Sequence, residues 1–207
     1  MSQRLSRRLF VGTAAATLAA PAIGRAAEPV KIRCSLDTAP SHPRNQAIVD
    51  YMAKLEKESK GEIKTEVFHS GQLFADLNVS KALLQGQIEM ASPGTWVVTG
   101  LVPDADLVGL PYFYGVPIDI THKATAGKPG AYVNKQLEGK LKTHVLGPWL
   151  DLGYNNWYST KTPLPAFDSL KGLKIRSSGG AANSWRIKFA GGIANTTAWP
   201  NVPLSLS

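Results

Sequence analysis

One cysteine in 207 residues, Cys34, leaves no partner for an internal disulfide and too few thiolates for a multi-cysteine zinc or iron–sulfur site. Four histidines, His42, His69, His122 and His144, are scattered and form no H-x-x-x-H pair. No G-x-S-x-G elbow, S-x-x-K, P-loop or G-x-G-x-x-G occurs. The doublets Gly179-Gly180 and Gly191-Gly192 read as turns rather than phosphate cradles. These absences argue against a nucleophilic or metal-assisted enzyme, and no metal or cofactor is expected. Beyond the N-terminal stretch, no apolar run reaches the roughly 18 residues that a membrane-spanning helix needs. Acidic residues are missing from the first 26 positions, which carry Arg4, Arg7, Arg8 and Arg25. These four account for half of the net charge of +8. The remainder is mildly basic, which fits attraction of small anions and requires no nucleic acid.

What is present is a globular composition, 43% hydrophobic and 18% charged. Residues 1–26 read as an export signal: a basic start, a weakly apolar stretch from Leu9 to Ile23, then Gly24-Arg25-Ala26. Ser6-Arg7-Arg8-Leu9-Phe10 fits the S-R-R-x-F pattern of twin-arginine signals, with an ordinary secretory leader as the other reading. Cleavage near Ala26 would leave an exported, periplasmic protein. Lys31-Ile32-Arg33 before Cys34 excludes a lipid-attachment box. Cys34 itself reads as a buried small hydrophobe.

The chain after the signal alternates strands and helices. Val30–Leu36 reads as a strand, then a helix runs from about Asn45 to Lys60 on an apolar stripe of Ile48, Tyr51, Met52 and Leu55. Glu56 and Lys60 are spaced as an i,i+4 pair, and Gly61 stops the helix. Ile63, Thr65 and Val67 alternate in a second strand, and Ser70-Gly71-Gln72-Leu73 is a turn. A second helix covers about 76–85 with Asp76 as N-cap, and 88–92 is a short strand. This β-α-β-α-β order predicts an α/β fold with a mostly parallel sheet. Ligands bind outside the carboxyl ends of such strands, so loops 37–43, 69–75 and 92–97 are candidate site loops. They bring His42, Gln72 and Trp96 into consideration. Asp104 and Asp106 read as solvated loop residues.

Residues 117–139 read as one or two helices broken near Gly127, and 143–158 as nearly continuous extended chain crossing between lobes. Lys174-Ile175-Arg176 closes a strand. Ala181–Ala190 is a helix with Ala181, Trp185 and Phe189 in i,i+4,i+8 register, and 193–199 is a last strand.

Five segments together resemble the DctP-type solute-binding proteins of the TRAP (tripartite ATP-independent periplasmic) transporters. They are Glu66–Leu73, Leu84–Ala91, Val102-Pro103 with Leu110–Tyr114, Leu146–Lys161, and Asp168–Arg176, the last similar to "D-L-K-G-L-K-I-R". The resemblance implies a periplasmic binding protein type II-like clam of two lobes, 27–148 and 149–207, the second incomplete in a chain that would be truncated. Such a chain is expected to fold poorly in its last 50 or so residues and to bind weakly or not at all. It also implies a small organic acid as ligand and the large and small TRAP membrane subunits as partners. A ligand-presenting sensor partner and, further off, a periplasmic enzyme are the alternatives. Arg176 aligns with the family's carboxylate-gripping arginine, and a planar guanidinium suits that task because its fork matches a carboxylate. Asn155 stands where many members carry a second arginine, and an amide brings no charge. A monocarboxylate with hydroxyl or carbonyl groups is therefore expected, rather than a dicarboxylate or a sialic-acid-like ligand. Trp96 and Trp157 have two readings, stacking on ligand or core packing.

Overall fold

The structure, a computed structural model, describes residues 28–206, so the expected export signal lies outside the described residues. The first strand, β1 (Val30–Ser35), is followed by α1 (Pro43–Glu58). Pro43 starts α1 because its fixed φ suits the first helical position, where no amide donor is needed. His42 is the N-cap: its Nδ1 accepts from the Arg44 amide at 3.2 Å. Ile48 and Met52 are buried and Leu55 is half-buried, as the stripe predicts, whereas Tyr51 falls on the flank and is exposed. Full burial of side chains this size is worth about 1.5–3 kcal/mol each.

The expected Glu56–Lys60 pair does not form. The helix ends at Glu58, and Lys60 takes a left-handed φ of 52° next to Gly61 at 94°. Glu56 instead turns to the second strand, β2 (Ile63–Phe68), and meets Lys64 Nζ at 2.8 Å and the Thr65 amide at 2.9 Å. Two strand donors hold its carboxyl down at about 2. A pair anchored to a strand loses less side-chain freedom than one between two exposed helix positions.

β2 and the short β3 (Met90–Ala91) flank β1, both parallel to it, in the order β2-β1-β3. Cys34, Leu36, Ile48 and Met52 form the core under this sheet, joined by Ile32, Val67 and Met90. A second cluster, Val79, Ala82 and Ile88, lies under α2 (Asp76–Leu84). Asp76 is not the N-cap of α2. Ala75 is, and the Asp76 carboxyl turns inward. A third cluster joins Val98 of α3 (Thr95–Val98), Val102 and Ala105 to Val133 and Leu141 of α5 (Lys128–Leu141). The break with α4 (Ile118–Ala126) falls at Gly127, as expected. A Cβ at Gly130 would sit 1.7 Å from the Thr125 carbonyl oxygen, so the α4–α5 corner admits only glycine there.

Among the described residues, 143–158 form no strand, although their sequence reads as extended. A strand needs a hydrogen-bonding partner along its edge, and neither sheet offers one here. The second sheet is β4 (Lys174–Ser177) parallel to β5 (Ile193–Thr196), connected by α6 (Ala181–Phe189). The Trp185–Phe189 register does not face the core. Ile187 and Ala190 are buried, while Trp185 and Phe189 are half or more exposed, with ring centroids 5.0 Å apart. Two parallel sheets with crossover helices realise the expected α/β class. Among the described residues no helix is long and apolar enough to cross a membrane.

Candidate functional site

The carboxyl ends of β1 and β3 converge on a buried polar cluster that sequence reasoning did not single out. Arg44, from the first turn of α1, is 6% exposed. Its Nη2 donates to Asp37 Oδ1 at 2.6 Å and to Thr38 Oγ1 at 2.8 Å, and its Nη1 to the Ser92 carbonyl at 2.9 Å. Asp76 Oδ2 lies 3.9 Å from Nη1 and accepts from the Gly94 amide at 3.3 Å. Two carboxyls thus share one guanidinium, and Asp37 has the closer contact. Burial, and then the neighbouring Asp37 charge, push the Asp76 carboxyl up to about 7. Asn45, fully buried, donates through Nδ2 to the Thr38 carbonyl at 2.7 Å and faces His69 Nδ1 at 3.0 Å. The cluster locks the β1–α1 loop to the β2 and β3 ends, which makes it a rigid floor. Asp37 and Arg44 lie in or beside the loop singled out in the sequence. Their pairing was invisible because it depends on the α1 entry angle set by Pro43.

Above this floor an open cleft of about 2470 Å³ runs between the two sheets. Small-ligand sites usually measure roughly 300–1,000 Å³, so a small molecule would fill only one part of it. Arg176, Trp96, Asn155 and Trp157 line the cleft; His42 and Gln72 do not. His42 is committed to capping α1. Gln72 is exposed in the turn after β2, where Ser70 and Gly71 have φ of 53° and 70°. That turn faces the second sheet: a Cβ on Gly71 would come 3.2 Å from Pro200 Cγ.

Arg176 projects from β4, half-buried. Its Nε donates to the Thr197 carbonyl at 2.9 Å, and its Cζ lies 5.6 Å from the Trp199 ring centroid. These contacts fix the guanidinium plane. Among the described residues no carboxylate pairs with it, and its two Nη amines make no hydrogen bond. Burial lowers its pKa, while the Asp37 charge acts in the opposite direction. An oriented, half-desolvated fork with free amines is suited to a carboxylate.

Trp96 sits in α3 and is half-buried beside the Gly179-Gly180 turn that leads into α6. Gly180, at φ +84°, would place a Cβ 3.0 Å from Trp96 Cβ. The Gly179-Gly180 doublet is a turn, as expected, and its lack of side chains lets α6 approach Trp96. Trp157 is half-buried, with its ring centroid 5.6 Å from Arg186 Cζ. Asn155 is exposed in the irregular crossing segment. Among the described residues no cluster of three or more His, Cys, Asp or Glu side chains is placed to hold a metal ion.

Comparison with known proteins bears on this arrangement. The profile of the bacterial extracellular solute-binding proteins, family 7 (DctP), matches residues 35–207. The C4-dicarboxylate-binding periplasmic protein DctP of Rhodobacter capsulatus is 33% identical over 178 residues, 83% of this chain and 51% of that protein. The 2,3-diketo-L-gulonate-binding periplasmic protein YiaO of Escherichia coli is 28% identical over 161 residues, 77% of this chain and 48% of that protein. The chain spans about half the length of the curated relatives it matches. Among solved structures, a TRAP periplasmic solute-binding protein of Sulfurospirillum deleyianum with bound succinate superposes with a TM-score of 0.77 at 23% identity. That match covers 84% of this chain and 55% of the other. A counterpart from Roseobacter denitrificans with bound β-D-glucuronate gives a TM-score of 0.77 at 20% identity, covering 84% and 57%.

Proposed function

Because this chain belongs to the bacterial extracellular solute-binding proteins of family 7, the DctP family, we propose that it captures a small organic acid by its carboxylate at Arg176 and delivers it to a TRAP-type permease. The family is one of solute-binding transport proteins, not of enzymes. The observation that carries the reading is the state of Arg176: Nε tied to Thr197, the plane set over Trp199, and both Nη amines free among the described residues. A guanidinium kept in that state gains most from a ligand that brings two acceptor oxygens in one plane. Relatives whose bound or named ligands are succinate, glucuronate or diketogulonate all handle carboxylates, which supports the same class here. Within this reading residues 1–26 direct export to the periplasm, 27–148 form the first lobe, and 149–207 contribute the crossing and part of the second. Trp96, Trp157 and Asn155 shape the cleft wall around the acid.

The test is a ligand-observed NMR titration of the full 207-residue chain with succinate and galacturonate, sensitive to dissociation constants up to about 10 mM. Binding by the wild type is expected for at least one acid. Arg176→Ala should weaken it by about 100-fold or more. Arg176→Lys should also bind poorly, because a point charge cannot reproduce the fork. Undiminished affinity in both variants would remove Arg176 from the site.

A further inference from the structure

We propose that the outer face of α6 is an interface between two copies of this chain, paired antiparallel about a two-fold axis at Trp185. Ala181, Trp185 and Phe189 stand one turn apart along that face. Trp185 and Phe189 are 50% and 68% exposed, with their rings stacked at 5.0 Å. Phe167, from the 3₁₀ turn Phe167–Leu170, is 57% exposed and widens the patch, its ring centroid 6.1 Å from that of Phe189. At the other end of α6 the surface dips instead. A recess of about 400 Å³ is bounded by Asp106, Leu110, Pro111, Ala181, Ala182 and Trp185. Tyr112, next to Pro111, is 79% exposed. One face thus carries a protruding ring after Trp185 and an apolar hollow before it.

That order is self-complementary. In a two-fold contact the same patch serves both copies: where residue i meets j, j also meets i. Two α6 helices crossing antiparallel at Trp185 bring position 189 of one opposite position 181 of the other. Phe189 of each copy then enters the hollow over Ala181 of the other. Position 188 falls opposite position 182, where Asp106 accepts the Ala182 amide at 2.8 Å. Lys188 is exposed and, among the described residues, has no acidic partner. Pairing about Trp185 therefore sets each lysine against the other copy's aspartate, twice per dimer. The area is also sufficient. Aromatic side chains bury about 150–250 Å² each, so at these exposures Phe167, Trp185, Phe189 and Tyr112 offer about 500 Å² per copy. A standard interface takes about 800 Å² per copy, and in homodimers roughly 65% of it, about 520 Å², is apolar.

Sedimentation equilibrium of the full chain between about 1 and about 300 µM tests the pairing. The mass should rise with concentration from that of one chain toward that of two. Phe189→Asp should raise the dimer dissociation constant by about 30-fold or more, as loss of a central anchor does. Ala181→Phe fills the hollow and should weaken the dimer to a similar degree. Both positions are exposed, so each variant should keep the urea midpoint of the wild type, which separates lost pairing from lost folding. The double variant Ala181→Phe/Phe189→Ala exchanges protrusion and hollow about Trp185 and should restore the dissociation constant to within about threefold of the wild type. General stickiness of an aromatic patch gives no such rescue. A chain that keeps the mass of one copy across the whole range overturns the proposal, and the face then belongs to another occupant, such as further chain of a longer relative. A dimer that is insensitive to Phe189→Asp, or a double variant that is not rescued, overturns it as well.

Discussion

Asp106 Oδ2 accepts the backbone amide of Ala182 at 2.8 Å, so the first turn of α6 is capped by a residue 76 positions earlier. The local N-cap position is Gly180, which has no side chain to cap with. Its φ of +84° and its closeness to Trp96 exclude a Ser or Asp there without strain. Helix α6 thus takes its cap from the 3₁₀ segment Pro103–Gly109, far back in the chain. Asp106 is half-buried, not the solvated loop residue that its sequence neighbourhood predicts.

Removing that cap should loosen the second sheet from the first. Asp106→Ala is expected to cost about 1 kcal/mol, in the range of lost N-caps, and Asp106→Asn clearly less, because an amide oxygen still accepts. Urea unfolding followed by tryptophan fluorescence measures both. Equal midpoints for wild type and Asp106→Ala would mean that the contact contributes nothing.

The Asp37–Arg44–Asp76 cluster gives the fold a pH dependence opposite to that of most carboxylates. Asp76 sits at about 7 when folded against an ordinary 3.8, so the folded chain keeps a proton that the unfolded chain releases. Stability therefore falls as pH rises from about 4 to 7, and flattens above. Glu56, held at about 2 against an ordinary 4.5, acts the other way: its contribution is present above 4.5 and is lost as pH falls toward 2. From these two groups alone, stability peaks near pH 4–5. Urea midpoints at about pH 4.5, 6 and 7.5 should decline by an amount of order 2 kcal/mol, and Asp76→Asn should remove most of the decline. Midpoints that climb over this interval, unaltered by Asp76→Asn, would contradict the raised Asp76 carboxyl.

The first sheet was legible because its signals are local. Alternation in Ile63–Val67, the stripe through Ile48 and Met52, and glycine at 61 and 86 each act within a few residues. Arg176 was legible through its motif, and its position in the cleft follows from the strand it ends. The side that α6 buries was not legible from the i,i+4,i+8 register of Ala181, Trp185 and Phe189. Their outward placement turns Asn183, Arg186 and Ile187 inward, and hydrophobicity alone cannot tell which side of a short helix another element will cover. The crossing segment reads as extended and forms no strand for a related reason, since extended sequence becomes strand only where a neighbouring edge exists.

Cys34 offers a reagent-based check that joins fold and ligand. It lies in β1 with no exposed surface, and burial raises its pKa to about 12, against a smaller opposing pull from Arg44. Only a thiolate attacks an aromatic disulfide reagent, and at about pH 8 a thiol of that pKa is roughly one ten-thousandth ionised. Its strand is the middle one of the sheet, so exposure requires the sheet to open. Labelling of the single thiol should be very slow in native buffer and complete within minutes in about 6 M guanidinium chloride. A bound acid that stabilises the closed sheet should slow native labelling by the factor one plus ligand concentration over its dissociation constant. That dependence would give the affinity of succinate by a route independent of NMR. Stoichiometric labelling within seconds under native conditions would show that β1 is not the centre of a packed sheet, and the floor beneath the cleft would lose its basis.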